Sequence, residues 1–580
     1  MSIRRKSSVG LVSAISAVAL CLSFTAASAK KETMPWEAQN GNSRYLIQYS
    51  KGSGQALKAA IAAEGGKVVF DYSALFNGLA ADLSDEAVQN LRGSGLATRI
   101  EDDDIRYLDN PTADYPDRAI PEVTPDAVPA GFPDGAFPEF VPWGRDRVQA
   151  DIVWSTGPNL GTADNGIAAP DVAPGTITGD GVVVGVIDSG IDYNHEDLKD
   201  NILDLRGDGK MRDFLDGDAD PQDAAFNGHG TSTASVIASV DNTVGLIGVA
   251  PGAKISPYRV CNVTCPLSAI IAAIVQAVDD GVDVINMSFG GPAGYNIEAK
   301  ALQEANRRGV VLVASAGNDA SQKVQFPAGY DTVLAVGATD INDNPASFTN
   351  YGGWVDVTGP GVSNPTATCD GCVISAKLDE ISPNAQSFSP NSMTGSAIAS
   401  AENVDNVMAE AVDVGRMCLQ TAGDAAPGDL TGKIAVIIRG ACSFAEKVFF
   451  AEAHGAAGTV IYNNVAGNFF GTLGSFQAAG PSVSISNSEG VALAAEISSG
   501  TTMVNLDVFR SHILYNFISG TSFSGPHVAG VAALVKSANP DLSPIEVRKI
   551  IEMTAEPIGH QLIFGTGMVR ADEAVNAAQH

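Results

Sequence analysis

The stretch Val182-Val183-Val184-Gly185-Val186-Ile187-Asp188-Ser189-Gly190 is the most informative part of the sequence for the fold. Six residues without a polar side chain are typical of a strand buried on both faces, as in a parallel sheet covered by helices. Similar runs recur at 284–287, 310–313 and 333–336, with helical segments at 269–278 and 297–307. The sequence therefore predicts an α/β fold, a parallel sheet flanked by helices, over residues 143–362.

Composition excludes several classes of protein. The 580-residue chain has a formal net charge of −31, because 66 acidic side chains outnumber 35 basic ones. Hydrophobic residues make up 45% and charged residues 17%, which excludes a disordered chain and a coiled coil. The negative field repels nucleic acid and anionic membranes. After the N-terminal segment no apolar run reaches membrane-spanning length, so no membrane anchor is expected.

The first 29 residues have the three features of a secretory signal peptide. Arg4-Arg5-Lys6 is a basic start, an apolar stretch follows from about 9 to 24, and Ala27-Ser28-Ala29 is a small-residue cleavage site. We therefore expect a secreted product, extracellular or periplasmic, that begins near Lys30.

Export places the six remaining cysteines in an oxidising compartment, where disulfides form. They fall into three local groups, 261/265, 369/372 and 418/442. Pairing within each group is the simplest of the fifteen connectivities. A redox or zinc site at Cys369-x-x-Cys372 is the alternative for that group.

The remaining segments differ in composition. Residues 44–108 alternate strands and helices in a β-α-β-β-α-β order, which predicts a ferredoxin-like α+β domain. Residues 109–142 contain eight prolines and form an extended, cleavable linker. Residues 363–510 interrupt the parallel-sheet pattern with strands and a helix of their own. The pattern resumes over 511–580, with a helix at 525–537.

Three segments carry residue types used in nucleophilic catalysis. Asp188 ends a buried strand, at the edge where open α/β sheets build sites. His229, between Gly228 and Gly230, precedes a helix, and histidine is the residue type whose ordinary pKa suits general-base work near neutrality. Ser522 lies at a helix N-terminus, where main-chain amides favour negative charge. Taken singly, each also fits a structural role: a turn, a structural histidine or a serine N-cap.

Taken together, these motifs strongly resemble the subtilisin-like serine peptidases (subtilases). They occur in the order Asp, His, Ser, with a long insertion between the last two. The resemblance implies a subtilisin-like fold over about 143–362 and 511–575. It implies that Ser522 is the nucleophile, His229 the general base and Asp188 the carboxylate that orients it. It also implies serine endopeptidase activity that needs no cofactor for the chemistry.

The same resemblance assigns a substrate cleft. Asn318 matches the asparagine that donates to the oxyanion together with the Ser522 amide. Ser288-Phe289-Gly290 matches the strand edge that hydrogen-bonds an extended polypeptide substrate. The residues before Asn318, which are Ser315, Ala316 and Gly317, are assigned to substrate binding with it.

Two further segments have counterparts in the family. Residues 44–108 look like the inhibitory propeptide, which helps the catalytic domain to fold and is removed by self-cleavage, here within 109–142. A small accessory domain that stays attached is the alternative. The insertion resembles a protease-associated (PA) domain in the segments 432–440 and 461–464. In the family such inserts are thought to influence substrate access, and they are not catalytic.

An acidic loop precedes His229, with Asp216, Asp218 and Asp220 at alternate positions. Carboxylates in this pattern can converge on a hard cation, and some subtilases bind calcium in this stretch. These three residues are therefore the predicted structural Ca²⁺ site. The loop lacks the glycine and final glutamate of an EF-hand, and a solvated acidic turn is the alternative.

The sequence thus predicts a secreted, monomeric endopeptidase that acts on polypeptides and is made as an inactive precursor, with its own propeptide as intramolecular inhibitor. An esterase or lipase with the same triad is a second reading, but the chain lacks the Gly-x-Ser-x-Gly elbow at Ser522. A non-catalytic binding protein on the same fold is a third reading. The intact triad and Asn318 argue against it.

Overall fold

The computed structural model describes residues 42–108, 139–154, 176–203, 208–223, 228–262, 264–393, 407–418, 428–467, 473 and 478–580. The predicted signal peptide, 1–29, and positions 109–138 of the predicted linker lie outside these residues. Within the described part of the chain, no helix has the length and hydropathy that crossing a bilayer requires.

The N-terminal domain has the predicted β-α-β-β-α-β order. Its elements are β1 (Ser43–Tyr49), α1 (Gly54–Ala63), β2 (Lys67–Asp71), β3 (Gly78–Leu83), α2 (Asp85–Ser94) and β4 (Ala97–Asp102). The strands form an antiparallel sheet in the order β2-β3-β1-β4, which is the ferredoxin-like arrangement. Ser84 caps α2, since its Oγ accepts the Ala87 N–H at 3.2 Å.

The last strand predicted for this domain, 100–107, is two strands in the structure. β4 ends at Asp102, and β5 (Ile105–Leu108) belongs to a different sheet. The chain turns at Asp103, whose carboxylate accepts the N–H and the hydroxyl of Ser268, at 2.8 and 2.5 Å. Burial at this contact raises the pKa of Asp103 to about 6.

The predicted parallel sheet is present. The elements of this region are α3 (Trp143–Arg147), α4 (Ala150–Trp154), β6 (Val183–Asp188), α5 (His229–Ala238), β7 (Lys254–Arg259), β8 (Thr264–Pro266), α6 (Leu267–Asp279), β9 (Val284–Met287), β10 (Phe289–Gly290), α7 (Asn296–Arg307), β11 (Val311–Ser315), β12 (Leu334–Thr339) and β13 (Val357–Pro360). Six strands run parallel in the order β13-β12-β11-β9-β6-β7.

The insertion forms a second sheet. The elements of the insertion and of the strand that follows it are β14 (Asn364–Ala367), β15 (Val373–Ser382), β16 (Ser387–Phe388), β17 (Asn391–Ser392), β18 (Val407–Asp413), β19 (Ile434–Ile438), α8 (Phe444–Ala453), β20 (Gly458–Tyr462), β21 (Ser482–Ile485), α9 (Asn487–Ser499), β22 (Thr502–Ser511) and β23 (Tyr515–Ile518). Eight strands follow the order β16-β15-β22-β18-β19-β20-β21-β17. The chain enters through β14 and returns through β23, which pair antiparallel with Ala367 opposite Tyr515.

The chain then returns to the first sheet with α10 (Thr521–Ala538), α11 (Pro544–Thr554), α12 (Gln561–Phe564) and α13 (Ala571–Ala578). Val184 and Val186 of β6 pack in one core cluster with α10, whereas Ile187 packs in a second cluster with α6. Alternate residues of β6 therefore face two helical layers, as a fully apolar strand requires.

The three disulfides confirm the predicted local pairing. Cys261 bonds to Cys265, Cys369 to Cys372, and Cys418 to Cys442. Since Cys369 and Cys372 are bonded to each other, they are not thiolate ligands for zinc.

Candidate active site

The predicted base and its carboxylate are hydrogen-bonded to each other. His229 Nδ1 lies 2.8 Å from Asp188 Oδ1, and the Asp188 side chain is buried. Asp188 Oδ1 also accepts the N–H of Ser189 at 2.7 Å. An ionised carboxylate can only accept, so Nδ1 carries the proton and Nε2 is the basic nitrogen of the ring.

His229 is the first residue of α5, and buried polar groups hold that turn in place. Asp223 Oδ2 accepts the N–H of Thr231 at 3.1 Å and its hydroxyl at 2.7 Å. Ser189 Oγ accepts the N–H of Gly230 at 2.8 Å and donates to Asp223 Oδ1 at 3.1 Å. A carboxylate thus satisfies amides at the start of the helix, where the dipole favours negative charge.

The glycines on either side of His229 are required by close packing. Gly228 has φ 61°, and a Cβ there would lie 2.7 Å from the Cys369 main-chain nitrogen. A Cβ on Gly230 would lie 2.0 Å from the carbonyl oxygen of Gly190. Only glycine lets α5 come this close to the end of β6, and this closeness sets the distance between His229 and Asp188.

Ser522 is the second residue of α10, and its neighbour in this helix contacts the imidazole. The ring of the next residue, Phe523, has its centroid 5.3 Å from that of His229. Ser522 Oγ lies 3.4 Å from the Ser288 carbonyl oxygen. The structure therefore brings Asp188, His229 and Ser522, which are far apart in sequence, to one edge of the parallel sheet.

Asn318 is fixed next to Ser522 by a residue that the sequence analysis did not single out. Asn318 Oδ1 accepts the N–H and the hydroxyl of Thr521, at 2.8 and 3.0 Å. Thr521 Oγ1 in turn accepts the N–H of Gly317 at 3.0 Å. With its oxygen held in this way, the Asn318 amide nitrogen is directed away from the Thr521 donors. The only sequence signal for this role is that Thr521 directly precedes the serine.

A strand of the N-terminal domain lies against the predicted substrate edge. β5 pairs antiparallel with β10, with Leu108 opposite Phe289 and Tyr107 opposite Gly290. On its other side β5 pairs antiparallel with β8. Ser288 precedes β10, and its hydroxyl donates to the Ser522 carbonyl at 2.8 Å. The groove beside Ser522 therefore holds an extended segment between two strands.

The three other residues assigned to substrate binding lie at the end of β11 and are buried. The Ala316 N–H donates to Val336 O, and its carbonyl accepts from Asn350 Nδ2, both at 2.9 Å. Ser315 and Gly317 flank it. Since both main-chain groups of Ala316 bond within the protein, a substrate would meet this residue through van der Waals contact.

The acidic loop predicted to bind calcium has its three carboxylates in separate contacts, and the calcium site stays a prediction. Asp216 forms an ion pair with Arg259 at 2.7 Å, Asp218 Oδ1 accepts the Asp220 N–H at 2.8 Å, and Asp220 Oδ1 accepts the Tyr193 hydroxyl at 2.8 Å. Among the described residues, three potential ligand atoms come within 4.8 Å of one another only at Asp223, Cys369 and Cys372. The three carboxylates of the loop do not converge, because each has a separate partner.

Two family models match the chain. The chain matches the model of the subtilase family over residues 179–407 and 471–570, and the PA domain model over 357–493. Subtilisin DY of Bacillus licheniformis is 41% identical over 229 residues, which are 38% of this chain and 73% of that protein. Subtilisin BL of Lederbergia lenta is 36% identical over 225 residues, 38% of this chain and 72% of that protein.

A solved structure extends the likeness of the fold. Fervidolysin from Fervidobacterium pennivorans aligns with a TM-score of 0.51 at 19% identity, over 92% of this chain and 61% of that one. A likeness at this identity concerns the architecture alone. With the family model matched over more than half of its length, the chain belongs to the subtilase family of serine peptidases and carries a PA domain.

Proposed function

We propose that this peptidase is a secreted endopeptidase that cleaves polypeptides with Asp188, His229 and Ser522, and that it is made as an inhibited precursor. The observation that carries the proposal is the 2.8 Å hydrogen bond from His229 Nδ1 to Asp188, at the sheet edge where Ser522 is the second residue of α10. In such a triad the histidine acts as a general base that activates the serine nucleophile.

In the first half of the reaction, Ser522 Oγ attacks the substrate carbonyl carbon while His229 Nε2 takes the hydroxyl proton. Asp188 holds the Nδ1 proton and stabilises the imidazolium that forms. The imidazolium then gives the proton to the leaving amine, the C–N bond breaks and an acyl-enzyme remains. In the second half, water attacks the acyl carbon with His229 again as base, and the Ser522 hydroxyl is restored.

The negative charge on the carbonyl oxygen needs donors that are already in position. The Asn318 amide nitrogen and the Ser522 main-chain N–H are the proposed pair, because Thr521 holds Asn318 by its oxygen. α10 begins after Gly520, which has no side chain to cap the helix. The helix dipole there favours an anion. None of these steps uses a cofactor.

The position of β5 supports inhibition by the N-terminal domain. Leu108 lies opposite Phe289, and the strand runs toward Ser288, which contacts Ser522. An extended segment in this place excludes a substrate from the same strand edge. We propose that residues 44–108 act as the propeptide and that the chain cuts itself within 109–142. The catalytic domain is then 143–362 with 511–580, and 363–510 is the PA insertion.

Replacement of Ser522 by alanine tests the catalytic role. We expect Ser522→Ala to lower casein hydrolysis by about 10⁴-fold or more. Ser524→Ala is the matched control: Ser524 is buried on the same helix, and its Oγ makes no hydrogen bond within the described residues. It should keep wild-type activity. Equal hydrolysis by Ser522→Ala and wild type would contradict the assignment.

Two further readouts separate the alternatives. N-terminal sequencing should find residues up to 108 lost from the wild type and retained in Ser522→Ala. If the variant, in the absence of other proteases, lost them at the same bond, self-processing would be wrong. Hydrolysis of short acyl esters without hydrolysis of peptides would favour the esterase reading instead.

A further inference from the structure

The strand that lies in the groove alternates between exposed and buried side chains. Tyr107 is 53% exposed and Ile105 37% exposed, whereas the Arg106 side chain is completely buried. Opposite orientation of successive side chains is expected of a strand. A fully buried arginine is unusual, because a guanidinium cannot lose its charge and needs a partner inside the protein.

The partner of Arg106 belongs to the peptidase domain. Arg106 Nη2 lies 2.5 Å from Glu298 Oε2, and Nε lies 3.3 Å from Oε1. Both side chains are completely buried. Two parallel N–H···O contacts of this kind match the planar guanidinium to a carboxylate, a geometry that a lysine ammonium cannot reproduce.

The surroundings of Glu298 form a pocket shaped for the guanidinium. The Arg106 guanidinium carbon lies 5.5 Å from the centroid of the Tyr295 ring, within range of a cation–π contact. A Cβ on Gly291 would lie 2.8 Å from Arg106 Nη1, so glycine leaves the room that this nitrogen uses. The Tyr330 hydroxyl lies 2.7 Å from Glu298 Oε2 and holds the carboxylate from the other side.

The four pocket residues named above belong to the peptidase domain and stay with it when the N-terminal domain leaves. Gly291, Tyr295, Glu298 and Tyr330 all lie beyond residue 142. Burial and the Glu298 charge raise the pKa of Tyr330, so its hydroxyl stays protonated and donates to the carboxylate. Glu298 is completely buried while Arg106 fills the pocket. A substrate side chain that fills the same place buries Glu298 again and must supply a cation, because a buried carboxylate without one is costly.

The strand register assigns the pocket to one position of a substrate. Leu108 lies opposite Phe289, so a substrate strand in the same register has its next residue opposite Ser288, beside Ser522. Counting back from that residue, the position of Arg106 is the fourth on the amino side of the cleaved bond. Resting on the proposed function, we infer that this peptidase selects substrates with arginine at the fourth residue before the cleavage site, through Glu298.

Four chromogenic peptides test this inference on the processed wild-type enzyme. They share the sequence Xaa-Ala-Leu-Phe-p-nitroanilide, with arginine, lysine, citrulline or leucine as Xaa. Citrulline has nearly the shape of arginine without its charge. We expect kcat/KM for the arginine peptide to exceed that for citrulline by about 100-fold, because the uncharged analogue leaves Glu298 buried and unpaired. Lysine should fall between them, since it lacks the two-point contact.

Glu298→Gln should remove most of the arginine preference, because it lowers kcat/KM for the arginine peptide and raises kcat/KM for the citrulline peptide, which then leaves no buried charge unpaired. Glu304→Gln is the matched control, since Glu304 lies on the same helix and pairs with Lys300 and Arg307. It should keep the wild-type ratio. If Glu298→Gln does not yield processed enzyme, the ratio of kcat/KM for the arginine and citrulline peptides on the wild-type enzyme tests the inference alone.

Equal cleavage of the arginine and citrulline peptides by the wild type would overturn the inference and leave the proposed peptidase function standing. Failure to cleave casein and all four peptides would overturn both. A preference for arginine that persists unchanged in Glu298→Gln would assign the selectivity to another group and refute the role of Glu298.

Discussion

The six-stranded sheet and the eight-stranded sheet place polar residues at the same kind of edge, with different results. In the first, Asp188 is the last residue of β6, Ser288 follows β9 and Asn318 follows β11. In the second, Arg439 follows β19 and Asn463 follows β20. Arg439 Nη1 donates to Asn463 Oδ1 at 3.2 Å, and Asn463 Nδ2 donates to Gly467 O at 3.0 Å.

The helices account for much of the difference. In the insertion, α8 is capped by Ser443 and α9 by Ser486, whose Oγ atoms accept N–H groups of the first turn. α10 starts from Gly520, which offers no such oxygen. The carboxyl edge of parallel strands therefore supplies positions for a site, and a helix whose start is not capped by its own side chain supplies the reactive group.

A matched pair of asparagine substitutions tests whether the two sheet edges differ in function. We expect Asn318→Ala to lower kcat on a peptide by about 100- to 1,000-fold with little change in KM, because it removes an oxyanion donor. Asn463→Ala removes a buried asparagine from the corresponding edge of the insertion and should leave kcat unchanged. Steady-state kinetics of both variants measure the two effects. A similar fall in kcat for both would contradict the conclusion that only the edge of the six-stranded sheet is catalytic.

The disulfides offer a second contrast, in stability. Cys418–Cys442 closes a sequence separation of 24 residues and Cys261–Cys265 one of 4. The chain-entropy model gives about 3.5 kcal/mol for the longer loop and about 2 kcal/mol for the shorter one.

We therefore expect the double variant Cys418→Ser/Cys442→Ser to lose hydrogen-exchange protection in β19 and β20 while casein hydrolysis continues. Cys261→Ser/Cys265→Ser is the control with the smaller loss. Equal loss of protection in β6 and β19 after removal of Cys418–Cys442 would show that the two sheets unfold as one unit.

Each of the two regions has a glycine at a helix that packs too closely for a side chain. A Cβ on Gly230 would lie 2.0 Å from Gly190 O, and one on Gly490 would lie 2.0 Å from the Cβ of Tyr462. Each alanine variant should lose roughly 1–3 kcal/mol of stability, because the helix must move off its strand. Thermal unfolding measures this loss.

Activity separates the two glycine variants. Gly230→Ala should also lower kcat, because α5 carries His229 at its first position. Gly490→Ala should keep kcat. A fall in kcat for Gly490→Ala would mean that packing within the insertion reaches the triad.

Much of this arrangement can be predicted from the sequence, because its signals are local. The run 182–187 is apolar enough to require burial on both faces, and the residue that ends it, Asp188, must then lie at the sheet edge. The triad positions follow from motifs that agree in order and spacing. The pairing of cysteines follows from their closeness along the chain.

What could not be predicted depends on distant partners. The start of α10 lies four residues before the predicted start at 525. Pro526 lacks the N–H that would bond to the Ser522 carbonyl, and Ser288 Oγ donates there at 2.8 Å instead. The break between β4 and β5 lies where Ser268 donates its N–H to Asp103. Arg259, 43 residues along the chain from Asp216, donates to the Asp216 carboxylate.

The two ends of the insertion lie side by side, because β14 and β23 pair with each other. Ala367 and Tyr515 face each other across β14 and β23, and the Ala367 main chain is also held by Ser232 and Ser235 of α5. Because the two ends of the insertion are neighbours, its size does not change the distance between the peptidase segments on either side. This junction can therefore accept a longer, shorter or foreign module during evolution or engineering, while the peptidase half on either side keeps its dimensions.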